Sequence, residues 1–571
     1  MMHHDGQPKS AMKQDLTRRQ VLKAGGAALM TAAAATPLFA KPEDDPPNIV
    51  VITVDDLDFD ELSPYSDGVF PCYTHAHQAG LVKAGRTPHF QNLRFLDKGE
   101  TCFYKDPHML TPALDRVAAE GIRFDRFYVT SSICTPSRYS IITGRYASRS
   151  VPFQEKYPTD RRAAVRWDTF IGASETNLPR ALTSRGYRTG HVGKWHLSPK
   201  PDGYWQLARK MKLADPRSPE TEAILKKAYR RQVEQVLRDG GFDVVHHLYY
   251  TNKEALVVPE PMRVHNNAWV AEGAVGFINK SKDGPFYLQM GLTMPHGQYY
   301  EDWLHENPRA TPAGMLEKTP DVVPDKRDVL RRVREAGIDP RNAMATSIDD
   351  AVNAVLESLD RHGLAENTLL VIISDHQSRG KDACYEGNRV PCLMRWPRRI
   401  AAGRKNADLF ANIDLVPTAL AAAGADVTRY PTDGINMLPY LNGANNAGPR
   451  QELLLEVAYT RALVTDRWKI IANRPTPETR RKMELDQAQA EERLDRRVDW
   501  QGIDNGHWGE EGTWFYRSRD FPGFFDEDQV YDLKADPFEQ FNLARERPRV
   551  ATRLRKRLQK ASMNLPHPFP V

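Results

Sequence analysis

Three runs of apolar, largely β-branched residues constrain this chain more than any other feature. Asn48-Ile49-Val50-Val51-Ile52-Thr53-Val54 runs into Asp55-Asp56, and Thr368-Leu369-Leu370-Val371-Ile372-Ile373 runs into Ser374-Asp375-His376. Phe286-Tyr287-Leu288-Gln289-Met290-Gly291-Leu292 leads to Pro295-His296. Unbroken apolar runs read as strands buried on both faces, hence an α/β chain with a large mixed sheet flanked by helices. Each run delivers polar, ligand-type residues at its C-terminal end, the edge at which open α/β sheets bind ligands. A single Asp after a strand is most simply a turn or helix-capping residue. Three such endings together point to a site.

Amphipathic helices fall between the strands. Ile348, Val352, Val355, Leu356 and Leu359 share one face, and Gly363 suits the C-terminal cap. The pattern changes after about residue 445. Short runs at 453–457, 462–465, 468–472 and 529–533, separated by turn residues, predict a small antiparallel sheet, followed by a basic helix from Pro548. We therefore expect one large unit over 47–445 and a smaller α+β unit over 446–571. Residues 61–110 read as an irregular loop and 478–497 as a charged, solvated helical insertion. The aromatic-dense stretch 500–525 reads either as core packing or as a wall for substrate.

Composition removes several function classes. The net charge of +5 over 571 residues includes +3 from the first 40, so the remainder carries too little positive charge for electrostatic binding of nucleic acid. Five scattered cysteines with no Cys-x-x-Cys pair exclude a disulfide framework and a zinc ribbon. Arg18-Arg19 precede an apolar run from Ala24 to Ala35, too short for a stable membrane span. Paired arginines before an Ala/Gly-rich stretch resemble a bacterial twin-arginine signal over 1–40, which implies the twin-arginine translocase as a partner and a periplasmic or secreted location.

The sharpest motif is Cys134-Thr135-Pro136-Ser137-Arg138, a cysteine entering a helix that Gly144 can end. An anion there would meet free N–H groups and the positive end of the helix dipole. Taken alone, such a cysteine is structural or an ordinary thiol nucleophile. Its surroundings, however, resemble the formylglycine-dependent sulfatases of the alkaline-phosphatase superfamily. Their first signature, Cys-x-Pro-Ser-Arg followed by Thr-Gly-Arg, is matched by Cys134, Pro136, Ser137 and Arg138 and by Thr143-Gly144-Arg145. Their second is matched by Gly186-Tyr187-Arg188-Thr189 and Gly193-Lys194-Trp195-His196. Asp55-Asp56, Pro295-His296, Asp375-His376 and Lys381 follow in family order.

The resemblance implies oxidation of Cys134 to formylglycine (3-oxoalanine) by a formylglycine-generating enzyme. It implies one Ca²⁺, with Mg²⁺ as the competitor, held by Asp55, Asp56, Asp375, His376 and the modified Cys134. The hydrated aldehyde would attack sulfur, while Arg138, Lys194 and Lys381 offset the charge on the sulfate oxygens. His296 would protonate the leaving alcohol, and His196 would take the proton that lets sulfate leave. The implied substrate is a sulfate ester, with a sulfated carbohydrate as the expected class. Rival readings are a phosphodiesterase or phosphonate monoester hydrolase and an inert sulfated-glycan binding protein. Departures from the family pattern are Asp58, expected to be solvated, and Gln377 where a glycine is usual.

Overall fold

The large sheet is built as the apolar runs require. A computed structural model describes residues 45–59, 62–66, 109–377, 381–441, 448–481, 523, 526–537 and 539–571. The leader, most of the 61–110 loop and nearly all of the aromatic stretch 500–525 lie outside the described residues, as does the 478–497 insertion beyond Arg481. The eight strands of the large sheet are β1 (Asn48–Asp55), β2 (Ile122–Phe124), β3 (Arg188–Lys194), β4 (Val244–Tyr249), β5 (Phe286–Pro295), β6 (Thr368–Ser374), β7 (Cys392–Arg395) and β8 (Arg404–Asn406). They lie in the order β8-β2-β7-β6-β1-β5-β3-β4. β7 runs antiparallel to β6 and β2, so the sheet is mixed, while β6, β1, β5, β3 and β4 are parallel. All residues of β1, β5 and β6 are buried, consistent with their unbroken apolar sequence.

Register carries the chemistry to one edge. β1 pairs with β5 from Ile49↔Tyr287 to Asp55↔Pro295 and with β6 from Asn48↔Thr368 to Val54↔Ser374. The residues that follow the three strands therefore emerge side by side. β3 pairs with β5 from Arg188↔Phe286 to Gly193↔Gly291, which brings Lys194 to the same edge.

The helices that bear on the argument are α1 (Cys134–Thr143), α2 (Asn267–Ser281), α3 (Ala343–Arg361) and α4 (Pro548–Ser562), with others between them, the longest spanning Pro219–Gly240. In α3 the expected face, Ile348, Val352, Val355, Leu356 and Leu359, is buried, and Gly363 takes the left-handed φ of 66° just past its end. Every residue of α1 is buried, and Gly144 ends it at φ 68°.

The second sheet comprises β9 (Glu452–Val457), β10 (Thr460–Thr465), β11 (Trp468–Asn473) and β12 (Asp528–Asp532), antiparallel in that order. Its alternating side chains feed two cores. Leu454, Leu463, Ile470 and Val530 pack on Ala551, Leu554 and Leu558 of α4. Leu455, Val457, Ala462, Val464 and Ile471 pack on Ile133, Ala383 and Cys384. The inner face thus buttresses the segments that carry Cys134 and Lys381.

Two glycines decide how closely β3 and β5 approach. Gly193 has φ 82°, and a Cβ there would stand 1.9 Å from the Gly291 carbonyl oxygen; a Cβ on Gly291 would stand 2.4 Å from the Lys194 carbonyl oxygen. Backbone cannot yield as a flexible side chain can. Gly193→Ala is expected to destabilise the fold by about 3 kcal/mol or more. Equilibrium denaturation checks this, and a loss within the range of ordinary surface substitutions would contradict the close approach.

Candidate active site

Cys134 opens α1 and is buried, with Ile133 as the extended residue before it. Its Sγ lies 3.0 Å from His376 Nε2 and 3.9 Å from Lys381 Nζ. Burial opposes ionisation of the thiol, but Lys194, Lys381 and His376 outweigh it and hold the pKa well below the ordinary thiol value. Asn412 braces the start of the helix, its Nδ2 donating to the Ser137 carbonyl (3.2 Å) and its Oδ1 accepting from the Thr130 N–H (3.1 Å).

The carboxylates are held by backbone as much as by side chains. Asp56 adopts φ 61°, a left-handed conformation that non-glycine residues seldom take. Its N–H donates to Asp375 Oδ1 at 3.3 Å, and the next N–H, of Leu57, donates to Ser374 Oγ at 3.0 Å. The Asp375 N–H returns a bond to the Val54 carbonyl (3.0 Å). β1 and β6 are thereby stitched together just beyond their last paired residues.

Each carboxylate has a cationic partner. Lys194 Nζ donates to Asp55 Oδ2. Arg138 Nε donates to Asp375 Oδ2 at 2.8 Å, its Nη2 lies 3.8 Å from Asp55 Oδ1, and its Nη1 donates to the Lys194 carbonyl at 3.0 Å. Lys381 Nζ donates to Asp56 Oδ1 at 3.0 Å. His376 Nδ1 lies 3.0 Å from Asp56 Oδ1 and 2.9 Å from the Gln377 carbonyl. Burial and Lys381 disfavour the cationic form of His376, but Asp375, Cys134 and Asp56 outweigh them and raise its pKa well above the ordinary imidazole value, which puts a proton on Nε2 facing Cys134.

Two further histidines face the thiol. His196 takes φ 59° after β3, its N–H donating to the Tyr250 carbonyl (3.2 Å), and burial pushes its pKa down to about 3. His296 Nε2 lies 3.7 Å from Asp56 Oδ2. Burial disfavours its cationic form, but Asp56 and Asp55 outweigh burial and raise its pKa to about 9. Neutral His196 and protonated His296 are the states a base and an acid require.

The site suits a divalent cation. One ligand atom each from Asp55, Cys134, Asp375 and His376 lies within 4.8 Å of all the others. Asp55 Oδ1 is buried without a hydrogen-bond partner, as is Arg138 Nη2. An orphaned buried carboxylate oxygen is costly unless a cation takes it, and hard oxygen donors are what Ca²⁺ and Mg²⁺ prefer. Asp56 stands outside this tightest group, turned toward Lys381, His376 and His296. All ten residues singled out from the sequence thus surround one buried centre.

One expectation fails. Asp58 is buried rather than solvated, because the chain turns inward after β1 and Leu57 and Asp58 both enter the interior. Sequence reasoning also missed a supporting group behind His296. Asn252 Nδ2 lies 3.2 Å from His296 Nε2. His265 bridges Thr293 Oγ1 (2.8 Å) and the His296 carbonyl (2.9 Å), strapping down the end of β5. No motif marks Asn252 or His265; only the pairing of β4, β3 and β5 brings them in.

Known proteins share this architecture. The family model described as Sulfatase matches residues 47–425, and the one described as N-sulphoglucosamine sulphohydrolase, C-terminal, matches residues 376–491. The chain is 26% identical to human arylsulfatase A over 447 residues, covering 72% of this chain and 71% of that protein. It is 27% identical to the N-acetylglucosamine-6-O-sulfatase of Bacteroides thetaiotaomicron over 387 residues, covering 58% of this chain and 66% of that one. Its fold is similar to the crystal structure of the putative sulfatase yidJ from Bacteroides fragilis, with a TM-score of 0.54 at 18% identity, covering 93% and 98% of the two chains. A family model that spans both signature motifs and all three strand-end dyads settles the assignment: the chain belongs to the sulfatase family and is a sulfuric ester hydrolase.

Proposed function

We propose that the enzyme hydrolyses the sulfate ester of a sulfated carbohydrate with residue 134, oxidised to formylglycine, as nucleophile and Ca²⁺ as its metal. The observation that carries the reading is the placement of Cys134: first residue of a fully buried helix, 3.0 Å from His376, inside a group of potential metal ligands. The thiol sulfur stands where the hydrated aldehyde's hydroxyl would stand. That hydrate supplies a nucleophilic hydroxyl and, through its second hydroxyl, an elimination route that a serine ester would lack. A divalent cation, when bound by Asp55, Asp375 and His376 with Asp56 adjoining, supplies the charge that acidifies this nucleophile.

The protein's own groups have separate tasks. Arg138, Lys194 and Lys381 orient the sulfate and offset the charge on its oxygens. Each cation is already fixed by a carboxylate, so little reorganisation is needed when the ester arrives. As the ester S–O bond breaks, His296 delivers a proton to the departing alcohol oxygen. His196, neutral through burial, then accepts the proton whose removal releases sulfate. The carbohydrate class is supported by the named activity of the Bacteroides relative, an N-acetylglucosamine-6-O-sulfatase. Arg18-Arg19 and the apolar stretch behind them support export of the folded chain, which allows a formylglycine-generating enzyme to act on Cys134 first. Among the described residues no helix is long and apolar enough to cross a membrane.

Cys134→Ala is expected to abolish turnover of an aryl sulfate while leaving the thermal transition in place. Parallel assays with a bis-aryl phosphate separate sulfatase from phosphodiesterase action, and a variant that keeps more than trace sulfatase activity would defeat this assignment of the nucleophile.

Asp375→Asn removes a charged ligand from the metal group. Calorimetric titration with Ca²⁺ should show affinity reduced by at least about tenfold. Ca²⁺ should raise the wild-type melting temperature far more than that of the variant. Equal stabilisation of both proteins would place the metal elsewhere.

A further inference from the structure

Lys200 lies just beyond the segment that carries Lys194 and His196, and it differs from every other cation near the site. Arg138, Lys194 and Lys381 each hold a carboxylate. Lys200 holds none: among the described residues its ammonium group has neither an ion-pair partner nor a hydrogen-bond acceptor. It rests instead on aromatic faces, its Nζ 4.9 Å from the Tyr250 ring centroid and 5.8 Å from that of Tyr204.

Those rings are fixed. Tyr250 is fully buried, with its hydroxyl bonded to the Pro199 carbonyl at 2.6 Å and its own carbonyl accepting the His196 N–H. The Tyr204 hydroxyl donates to the Ala255 carbonyl at 2.8 Å. The side chain of Lys200 is therefore pre-positioned beside the residue proposed to accept the final proton. The residue is half-buried, and burial together with repulsion from Lys194 pulls its pKa down to about 7. An aromatic face attracts an ammonium ion, but it does not replace a counter-ion for a charge partly withdrawn from water. A pre-oriented, half-buried cation with no internal anion fits one that arrives with a ligand.

We propose that Lys200 receives a second anionic group of the substrate, a carboxylate or a further sulfate, on the His196 side of the scissile sulfate. The inference rests on the sulfatase reading of the same site and narrows it: the preferred substrates are sugars that carry at least one charge besides the sulfate removed.

The test uses the full-length enzyme and three sets of probes. They are p-nitrophenyl sulfate, phenyl sulfates with a ring carboxylate at the ortho, meta or para position, and the corresponding benzene disulfates. Lys200→Met keeps the aliphatic stem on the two rings and removes the charge; Lys200→Arg keeps the charge. Wild type is expected to show a lower KM for at least one doubly charged isomer than for p-nitrophenyl sulfate. Lys200→Met should raise that KM about tenfold more than it raises the KM for p-nitrophenyl sulfate. Lys200→Arg should recover most of the difference, whereas a purely structural lysine would move both KM values alike and lower the melting temperature. A response confined to the carboxylates or to the disulfates identifies the second anion. Sulfatase turnover without any charge-dependent response to Lys200→Met would overturn the proposal alone. A wild-type enzyme inert toward every sulfate ester would overturn the sulfatase reading itself and the proposal with it.

Discussion

The parallel register of β1 between β5 and β6 is the constraint on which the site depends. Asp55 stands opposite Pro295, and Val54 opposite Ser374, so three strand ends form one shelf. A slip of one residue would exchange the two buried faces of β1, misfit both sides of the core and separate Asp55 from Asp375. The shelf is locked by bonds that cross it, from the Asp56 N–H to Asp375, from the Leu57 N–H to Ser374 and from the Asp375 N–H to Val54. Helix α1 then needs only to present its first residue to the shelf. The second sheet secures both that residue and Lys381 by packing on Ile133 and Ala383.

On this shelf three buried carboxylates face three strong cations: Asp55 with Lys194, Asp375 with Arg138, and Asp56 with Lys381. Buried pairs of this kind recover their desolvation cost poorly and contribute little net stability compared with apolar packing. Their concentration around one cysteine therefore has a chemical rather than a structural rationale. Mutual pairing holds the six side chains in fixed positions while leaving Asp55 Oδ1 and Arg138 Nη2, 3.8 Å apart, without hydrogen-bond partners. One of these suits a metal ion and the other suits an oxyanion. The histidines divide in the same economical way. His196 is kept neutral by burial, whereas His296 is kept protonated by the two aspartates it faces.

Much of this was legible in the sequence because the core strands are apolar on both faces and end abruptly in charge. The small sheet was legible because its turns interrupt short alternating runs. β3 was not, since Arg-Thr-Gly-His-Val-Gly-Lys has no strand-like apolar content. It lies in the sheet because its glycines admit neighbours: a Cβ on Gly190 would stand 2.3 Å from the Phe277 ring, and one on Gly193 would strike the Gly291 carbonyl. Strands β2, β7 and β8, on one side of the sheet, are only three or four residues long, too short for periodicity to register. Asp58 was misread because an acidic residue defaults to solvent unless a turn is known to bury it. Asn252 and His265 act through strand pairing, which a linear reading does not contain.

The chemistry of the site turns on the side chain that residue 134 carries. Tryptic digestion of the enzyme, purified from a host that possesses a formylglycine-generating system, releases a peptide covering residues 127–138 in which Cys134 is the sole cysteine. Mass spectrometry of this peptide should find an aldehyde at position 134 in the active fraction, trapped by a hydrazine reagent and absent from inactive protein. A fully active enzyme whose peptide carries only the unmodified thiol at Cys134 would contradict the account.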